Sequence, residues 1–471
     1  MSGAISTSEP AWLDLTTASE LIARRELTAT QLVELMLARI ERLNPQVNAF
    51  VTVLAEAARA QASAVDTEIA RGRWRGPLHG VTLAVKDIID VAGAPTTGGS
   101  RTLGRSIAPR DATCVARLRA AGAIILGKLH THELAGGVTS ESELYGRARN
   151  PWNTDYIPGG SSGGSAVATA AGLAHGALGT DTGGSVRMPA AFCGVAGLKG
   201  TFGRVSRSGV LTRSWTMDHV GSLGRRVCDT ALLFQEVAGH DPRDSYSSRR
   251  KVPNIIDGLS ENIRGLRAGV LTGAFFESEL DPQIGEVFER AVQTLGTMGV
   301  KTKAVTFDLA DASYAAGTII TIAEAASTQD EVIRTRPEEF GADIRKQLQT
   351  AEFISARQYL RALRIRFLVQ QELEGLLREV DVLLTPSSPA LPTRSDGKTT
   401  LERLARFARN TRPFSVPGLP ALSVPAGFSA EGLPIGLQII GRPFDEKTIL
   451  HVGHAYERAS PWHTRTPPLA N

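Results

Sequence analysis

The chain has 471 residues, and its 52 basic and 48 acidic side chains leave a formal net charge of only +4 at pH 7. So small a surplus argues against a nucleic-acid-binding protein. Hydrophobic residues make up 42% of the chain and charged residues 21%, so the sequence can bury a sizeable core.

The three cysteines, Cys114, Cys193 and Cys228, lie far apart and form no C-x-x-C pair. This spacing argues against a disulfide framework or a zinc ribbon and fits a reducing compartment. The first ten residues are polar and small, unlike a signal peptide, and no run of 18 apolar residues predicts a membrane span. We therefore expect a cytoplasmic protein.

The N-terminal part has a helical pattern. Thr28 and Gln31 fit a capping box, and the apolar stripe that follows predicts a helix ending at Asn44-Pro45. An alanine-rich helix is predicted over residues 54–71.

From residue 80 onward, short apolar segments alternate with helical patterns, which is typical of an α/β sheet with helices on its faces. The predicted strands cover residues 81–85, 123–126, 266–271, 300–307, 380–384, 421–424 and 435–440. The predicted helices cover residues 112–121, 165–174, 281–298, 309–334 and 354–378.

Two segments rich in glycine and serine lie in the middle of the chain. Residues 158–165 read PGGSSGGS and residues 179–187 read GTDTGGSVR, which places Ser161 and Ser185 24 positions apart. The two segments are separated by residues 166–178, which are mostly small and long enough to form one helix. The second loop can therefore return beside the first.

The glycines before Ser185 have a physical use. Gly183 and Gly184 allow a sharp turn in which successive backbone N–H groups point to one place. Such a nest can hold the oxyanion that forms when a carbonyl is attacked, and Ser185 is placed to make that attack. The loops could instead cradle a phosphate or be purely structural, although they match neither the P-loop nor the G-x-G-x-x-G pattern. The pattern alone leaves these interpretations open.

A nucleophilic serine needs a base. His219 is the best candidate among nine histidines, but a structural hydrogen-bonding role explains it more simply. His130 and His132 lack the spacing and the third ligand of a zinc site. Lys86 closes an apolar strand, where burial would lower its pKa and leave an amine able to accept a proton. A salt bridge to Asp87 is the structural alternative.

Several segments together resemble the amidase signature family. Besides the two glycine-rich segments they are GVTLAVKD (80–87), RNPWN (149–153), PAAFCG (189–194), GLK (197–199), DVLLTP (381–386), LSVPAG (422–427) and GLQIIGRP (436–443). The resemblance covers nearly the whole chain and is most specific between residues 158 and 199. It implies a single large α/β/α domain whose central, mixed and mostly parallel β-sheet is flanked by helices.

The resemblance also implies roles for individual residues. In that family the last serine of the second segment, here Ser185, is the nucleophile. The first serine of the first segment, here Ser161, typically lies in a cis peptide and relays protons, and the strand lysine, here Lys86, is the base. The implied oxyanion hole consists of the backbone N–H groups of Thr182, Gly183, Gly184 and Ser185.

Three further side chains, Ser162, Asp181 and Arg187, are expected to hold the loops rather than take part in the chemistry. The implied mechanism uses no cofactor and no metal. We predict one domain over residues 1–471. Its predicted parts are an N-terminal helical region (about 11–72), a catalytic core (about 73–240), a variable substrate-pocket region (about 266–378) and C-terminal strands with a helix (about 380–460).

The resemblance implies an amidohydrolase that cleaves a carboxylic amide C–N bond through an acyl-enzyme on Ser185. The A subunit of glutamyl-tRNA amidotransferase belongs to the same family, but the single tyrosine in residues 354–361 looks more like stand-alone amidases. Esters and carbamates are open to the same triad, and a non-catalytic binding protein is a further alternative. We expect a small-molecule amide, aryl amide, ester or carbamate as substrate, no nucleic acid, no membrane, and a homodimer as the family expectation.

Overall fold

The computed structural model describes residues 9–104, 106–396 and 401–470. The strands in these ranges are β1 (Phe50–Val53), β2 (Thr82–Lys86), β3 (Ile124–Leu129), β4 (Glu141–Ser142), β5 (Gly146–Arg147), β6 (Gly176–Asp181), β7 (Ala196–Lys199), β8 (His219–Gly224), β9 (Arg267–Thr272), β10 (Lys301–Thr306), β11 (Val382–Pro386), β12 (Ala421–Phe428) and β13 (Pro434–Ile440).

The same ranges contain sixteen α-helices. In chain order they are α1 (Leu15–Ala23), α2 (Ala29–Val47), α3 (Ala55–Ala70), α4 (Thr113–Ala120), α5 (Gly163–Ala170), α6 (Arg187–Cys193), α7 (Val227–Val237), α8 (Ala274–Glu277), α9 (Pro282–Thr297), α10 (Ala310–Thr328), α11 (Asp330–Thr335), α12 (Ala342–Thr350), α13 (Ala356–Glu379), α14 (Leu401–Ala408), α15 (Arg412–Ser415) and α16 (Glu446–Arg458).

One sheet of eleven described strands runs through the molecule in the order β1-β3-β2-β6-β8-β7-β12-β13-β11-β9-β10. Pairing is parallel within β3-β2-β6 and within β11-β9-β10. The strands between these two groups pair antiparallel, as does the edge strand β1. The predicted α/β class with a mixed central sheet is confirmed.

Alternate side chains of β2 enter different parts of the core, as the period of a strand requires. Leu83 and Val85 belong to one buried apolar cluster, whereas Ala84 belongs to a second cluster that includes Ala166 of α5. Lys86 lies two positions after Ala84 and therefore on the same face of the sheet. The face of Lys86 is the one that α5 covers.

The predicted end of α2 at Asn44-Pro45 is wrong by about one turn. The helix continues to Val47, with Pro45 inside its last turn. It ends where Asn48 adopts a left-handed conformation with φ of +50° and donates its N–H to Asn44 O at 2.7 Å. Proline removes only one backbone donor, and the last turn tolerates this loss.

The small residues between the two glycine-rich segments do not form one helix. Helix α5 ends at Ala170 and strand β6 begins at Gly176, so the segment contains both a helix and a strand. Strands β7 and β8 and the edge strand β1 were also not predicted. Strands β7 and β8 contain glycine or alanine at several positions, which weakens the sequence signal for a strand, whereas β1 is only four residues long.

The three cysteines are free thiols in the structure, and Cys114 and Cys193 are buried. Within the described ranges, no helix combines the length and the apolar character that crossing a bilayer requires.

Candidate active site

Lys86 closes β2 and is completely buried. Its Nζ donates hydrogen bonds to Ser161 Oγ at 2.7 Å and to Thr180 Oγ1 at 2.8 Å. Strands β2 and β6 pair in parallel, so Lys86 and Thr180 meet where both strands end. Asp87 does not form the alternative salt bridge with Lys86, because it pairs with Lys128 at 3.0 Å.

Burial lowers the pKa of Lys86 to about 7, because the interior disfavours the ammonium form. The carboxylates of Asp218 and Asp181 act in the opposite direction, and the guanidinium of Arg213 favours the neutral amine. Near neutral pH, a substantial fraction of Lys86 is therefore uncharged.

Ser161 lies in the loop that leads into α5, and the Gly160–Ser161 peptide bond is cis. Ser140 holds this loop in place. Its Oγ donates to Gly159 O at 2.9 Å and accepts the N–H of Gly163 at 2.9 Å. The sequence analysis missed Ser140, because no local pattern connects it with a loop about 20 positions later.

Ser162 connects three segments of the site. Its Oγ donates to Thr180 O at 3.1 Å and accepts the Thr180 N–H at 3.1 Å. Its own N–H donates to Ser185 O at 3.2 Å. Ser162 thus holds the Ser161 loop against both strand β6 and the loop that contains Ser185.

Asp181 and Arg187 are fully buried and form a bidentate ion pair, with Nε–Oδ2 at 3.0 Å and Nη2–Oδ1 at 2.9 Å. Burial alone would raise the pKa of Asp181, but the Arg187 guanidinium holds that pKa well below its ordinary value. Arg187 Nη1 also donates to Gln438 Oε1 at 2.7 Å and to Thr411 O at 2.9 Å. The pair therefore fastens the loop of residues 182–186 to the C-terminal part of the fold.

The backbone donors of the 182–186 loop differ in their availability. Gly184 has a φ of +136°, and its N–H donates to Asp181 Oδ1 at 2.7 Å. The carboxylate therefore occupies the Gly184 N–H in this structure. The N–H groups of Thr182, Gly183 and Ser185 have no acceptor within the part of the chain that the structure describes.

Asp218 is a buried carboxylate beside this loop that the sequence analysis did not select. It accepts the hydroxyl of Thr182 at 2.6 Å and the N–H groups of Arg213 and Ser214 at 2.8 and 2.9 Å. Burial raises the pKa of Asp218. Its position follows from the antiparallel pairing of β6 with β8, which the sequence pattern does not reveal.

Ser185 is partly exposed and lines a cavity of about 320 Å³ together with Thr182 and Gly183. Ser161 is completely buried. The hydroxyls of Ser161 and Ser185, both described residues, are not hydrogen-bonded to each other in this structure. Lys86 and Ser161 are therefore directly joined, whereas Ser185 faces the space where a ligand can enter.

The Amidase family model matches residues 31–450 of the chain. The chain belongs to the amidase family. The A subunit of glutamyl-tRNA(Gln) amidotransferase from Chloroflexus aggregans is 40% identical, covering 98% of this chain and 99% of that protein. The predicted membership of the amidase signature family is thus confirmed.

Two solved structures are similar to this amidase over most of its length. One belongs to a vestigial protein complex described as revealing the evolutionary origins of an s-triazine catabolic enzyme. Its sequence is 35% identical, the TM-score is 0.90, and the match covers 95% of this chain and 98% of the other. The second, 6-aminohexanoate cyclic dimer hydrolase with its substrate, is 31% identical, with a TM-score of 0.88 and coverage of 98% and 100%. The predicted enzyme class, an amide-hydrolysing enzyme, is confirmed.

Two histidines that the sequence analysis considered, His219 and His130, contact backbone carbonyl groups. His219 Nδ1 faces Met217 O at 2.7 Å and Asp181 O at 3.1 Å, and burial holds the pKa of His219 well below its ordinary value. His130 Nε2 faces Gly146 O at 3.2 Å. Among residues 9–104, 106–396 and 401–470, no three side chains of the metal-binding types form a cluster that could hold an ion.

Proposed function

We propose that this amidase cleaves amides through an acyl-enzyme on Ser185, with Lys86 as the base and Ser161 as the proton relay. The observation that carries the proposal is the 2.7 Å contact between Lys86 Nζ and Ser161 Oγ, made by a fully buried lysine whose pKa burial lowers to about 7. A neutral amine keeps a lone pair that can accept the serine proton over the same distance.

The proposed reaction begins when Lys86 takes the proton of the Ser161 hydroxyl and Ser161 takes that of Ser185. The Ser185 oxygen then bonds to the amide carbon, and the carbonyl oxygen becomes an oxyanion. As the C–N bond breaks, Ser161 gives a proton to the departing nitrogen and regains one from Lys86. Water then attacks the acyl carbon and gives a proton to Lys86 through Ser161; as the bond from the acyl carbon to Ser185 Oγ breaks, the relay returns that proton to Ser185, and the carboxylic acid leaves.

The step from Ser185 to Ser161 requires the two hydroxyls to approach each other when substrate binds. Catalytic hydrogen bonds are often long or absent before substrate binds and tighten in the complex. Ser162 supports this arrangement because its hydrogen bonds tie the Ser161 loop to Ser185 O and to strand β6. The proposed relay thus requires the Ser185 hydroxyl to move toward Ser161 between two loops that Ser162 connects.

We propose that the oxyanion is held by the N–H groups of Thr182, Gly183 and Ser185, without that of Gly184. The Gly184 N–H instead binds Asp181, which the Arg187 guanidinium keeps ionised. Asp181 and Arg187 thus act by positioning the loop. Loss of one oxyanion donor costs about 3–4 kcal/mol of transition-state stabilisation. Even two of the three donors would therefore lower the activation barrier substantially.

The test is covalent labelling with a fluorophosphonate, followed by mass spectrometry of the modified peptide. We expect one adduct, on Ser185, that forms at least about a thousandfold more slowly in Lys86→Met. Ser165→Ala is the matched control, because Ser165 lies in the same region and only donates to Leu178 O at 3.1 Å. An adduct on another residue, or equal labelling of Lys86→Met in folded protein, would refute the assignment.

The similarity to an amidotransferase subunit supports a second candidate, an A-type subunit that releases ammonia from glutamine within a complex. The two functions differ in substrate and in assembly. For a stand-alone amidase, we expect the purified chain to hydrolyse aryl or alkyl amides faster than glutamine. Ammonia release from glutamine as the fastest reaction, or a requirement for partner subunits, would favour the second candidate.

The same triad can also act on esters and carbamates, so a substrate panel must include all three bond types. We further propose that the protein is cytoplasmic, which its three free thiols support. A homodimer is expected by analogy with the family, and light scattering coupled to size exclusion would measure the oligomeric state.

A further inference from the structure

The cavity at Ser185 contains two arginines on different elements. Its volume of about 320 Å³ suits a small ligand, and its apolar lining includes Val138, Met188 and Ile322. Arg213 and Arg412 line the same cavity, whereas none of the described lining residues is an aspartate or a glutamate. The positive charge in this pocket therefore lacks a negative partner in its wall.

Arg412 lies directly against the 182–186 loop. Its Nη1 donates to Tyr314 OH at 3.1 Å and to Thr318 Oγ1 at 2.7 Å, and its guanidinium carbon lies 4.8 Å from the centre of the Tyr314 ring. A methyl group added to Gly183 would lie 3.0 Å from Arg412 Nε. The preceding residue, Thr411, donates its hydroxyl to Gly183 O at 2.8 Å, so this arginine is fixed relative to Ser185.

The acceptors of Arg412 are all neutral. Its buried Nε has no hydrogen-bond partner, and no carboxylate in the described parts of the chain forms a salt bridge with it. A guanidinium has five N–H donors, and two hydroxyls leave most of this capacity unused. The unused donors of this half-buried guanidinium are well suited to an anion that arrives with the ligand.

Arg213 is buried, and its guanidinium donates only to neutral acceptors. Its Nη2 donates to Gln347 Oε1 at 3.0 Å and its Nη1 to Leu134 O at 3.4 Å. The Asp218 carboxylate binds the backbone N–H of Arg213 and makes no salt bridge with its guanidinium. Burial lowers the pKa of Arg213 to about 10; the nearby Asp218 carboxylate acts in the opposite direction, and the positive charge of Arg412 acts in the same direction as burial.

We propose that the substrate of this amidase is an amide that carries a carboxylate, bound by Arg412 and Arg213 while the amide carbonyl meets Ser185. The proposal rests on the proposed function, because it places the scissile bond at Ser185. A carboxylate accepts charge-assisted hydrogen bonds from guanidinium groups and relieves their mutual repulsion. Half-amides of short dicarboxylic acids have this chemistry.

The same pocket disfavours a zwitterion such as glutamine. Its carboxylate would be accepted, but its ammonium group would enter a cavity whose described lining includes two guanidiniums and no aspartate or glutamate. Among amides of similar size, we therefore expect the half-amide to bind most tightly, glutamine less tightly and the neutral diamide least tightly.

The test measures equilibrium binding by calorimetry to Ser185→Ala, which cannot form an acyl-enzyme. The ligands are the half-amides of succinic, glutaric and adipic acids, their neutral diamides, and glutamine. We expect at least one half-amide to bind about 30-fold more tightly than its diamide. In Arg412→Met and in Arg213→Met, each combined with Ser185→Ala, this preference should fall at least about tenfold.

Arg378→Met is the matched control, because Arg378 is exposed on α13 and pairs only with Glu374 at 3.9 Å. The charge preference should be unchanged in this variant. If no half-amide binds better than its diamide, or if glutamine binds best, the proposal is overturned. Turnover that persists in Ser185→Ala would instead refute the proposed function while leaving the measured charge preference intact, so the two failures are distinguishable.

Discussion

The pKa of Lys86 predicts how turnover depends on pH. Burial lowers this pKa from the ordinary 10.5 to about 7, so the neutral amine predominates above pH 7 and the ammonium form below it. Only the neutral amine can take the Ser161 proton, so kcat/KM should fall as the pH drops through 7. The neutral fraction is about 0.9 at pH 8 and about 0.01 at pH 5, which predicts a loss of about 90-fold.

The assay is the initial rate of hydrolysis of a neutral aryl amide between pH 5 and 8.5 at constant ionic strength, with circular dichroism to show that the protein stays folded. The substrate must be uncharged so that its own titration does not contribute. A profile that stays flat down to pH 5 in folded protein would refute the neutral-lysine mechanism.

Asp218→Asn provides an internal check on the same profile. The Asp218 carboxylate favours the ammonium form of Lys86, so its removal should lower the pKa of Lys86 and move the acid limb to lower pH. The control is Asp155→Asn, since Asp155 is exposed and pairs with Arg394 on the surface. A shift of the limb to higher pH in Asp218→Asn would contradict the electrostatic account.

Two further substitutions test the support of the 182–186 loop. Arg187→Met leaves the buried Asp181 carboxylate unpaired and should lower the free energy of unfolding, measured in urea, by about 3–5 kcal/mol. The control Arg24→Met removes one partner of an exposed pair and should lower it by about 0.5 kcal/mol or less. Equal losses in the two variants would mean that the buried pair adds no stability. Gly184→Ala adds a methyl group that overlaps Thr411 Oγ1 at a φ of +136°, so turnover should fall about 100-fold or more. The control is Gly285→Ala, whose added methyl group would lie 3.6 Å from the nearest atom, and its turnover should be unchanged. A Gly184→Ala variant with normal turnover would show that the loop geometry is not required.

The direct contact between Lys86 and Ser161 was expected from the family resemblance, whereas the local pattern alone left a salt bridge of Lys86 with Asp87 open. Lys86 ends an apolar strand, and Ser161 lies in a glycine-rich loop that leads into a helix. Thr180, which also contacts the Lys86 amine, was harder to predict because its position depends on the register between β2 and β6. Register between distant strands is not encoded in a local pattern.

The electrostatic environment of the site could not be read from the sequence. Asp218 approaches Lys86 only because β8 pairs antiparallel with β6, and β8 itself contains two glycines that hide it as a strand. The use of the Gly184 N–H by Asp181 likewise depends on a turn whose hydrogen bonds form only in the folded loop. The sequence analysis named no site residue near Arg412, and the position of Arg412 at the cavity required the fold.

The central claim is that the base acts on Ser185 through Ser161, in series. The most direct measurement is a double-mutant cycle on the single-turnover rate of Ser185 acylation by an activated ester, followed through release of its nitrophenol. We predict that Lys86→Met and Ser161→Ala each slow acylation by about a thousandfold or more, and that the double variant is no slower than the slower single variant. Losses that multiply in the double variant, or a Ser161→Ala variant that acylates at the wild-type rate, would contradict a serial relay.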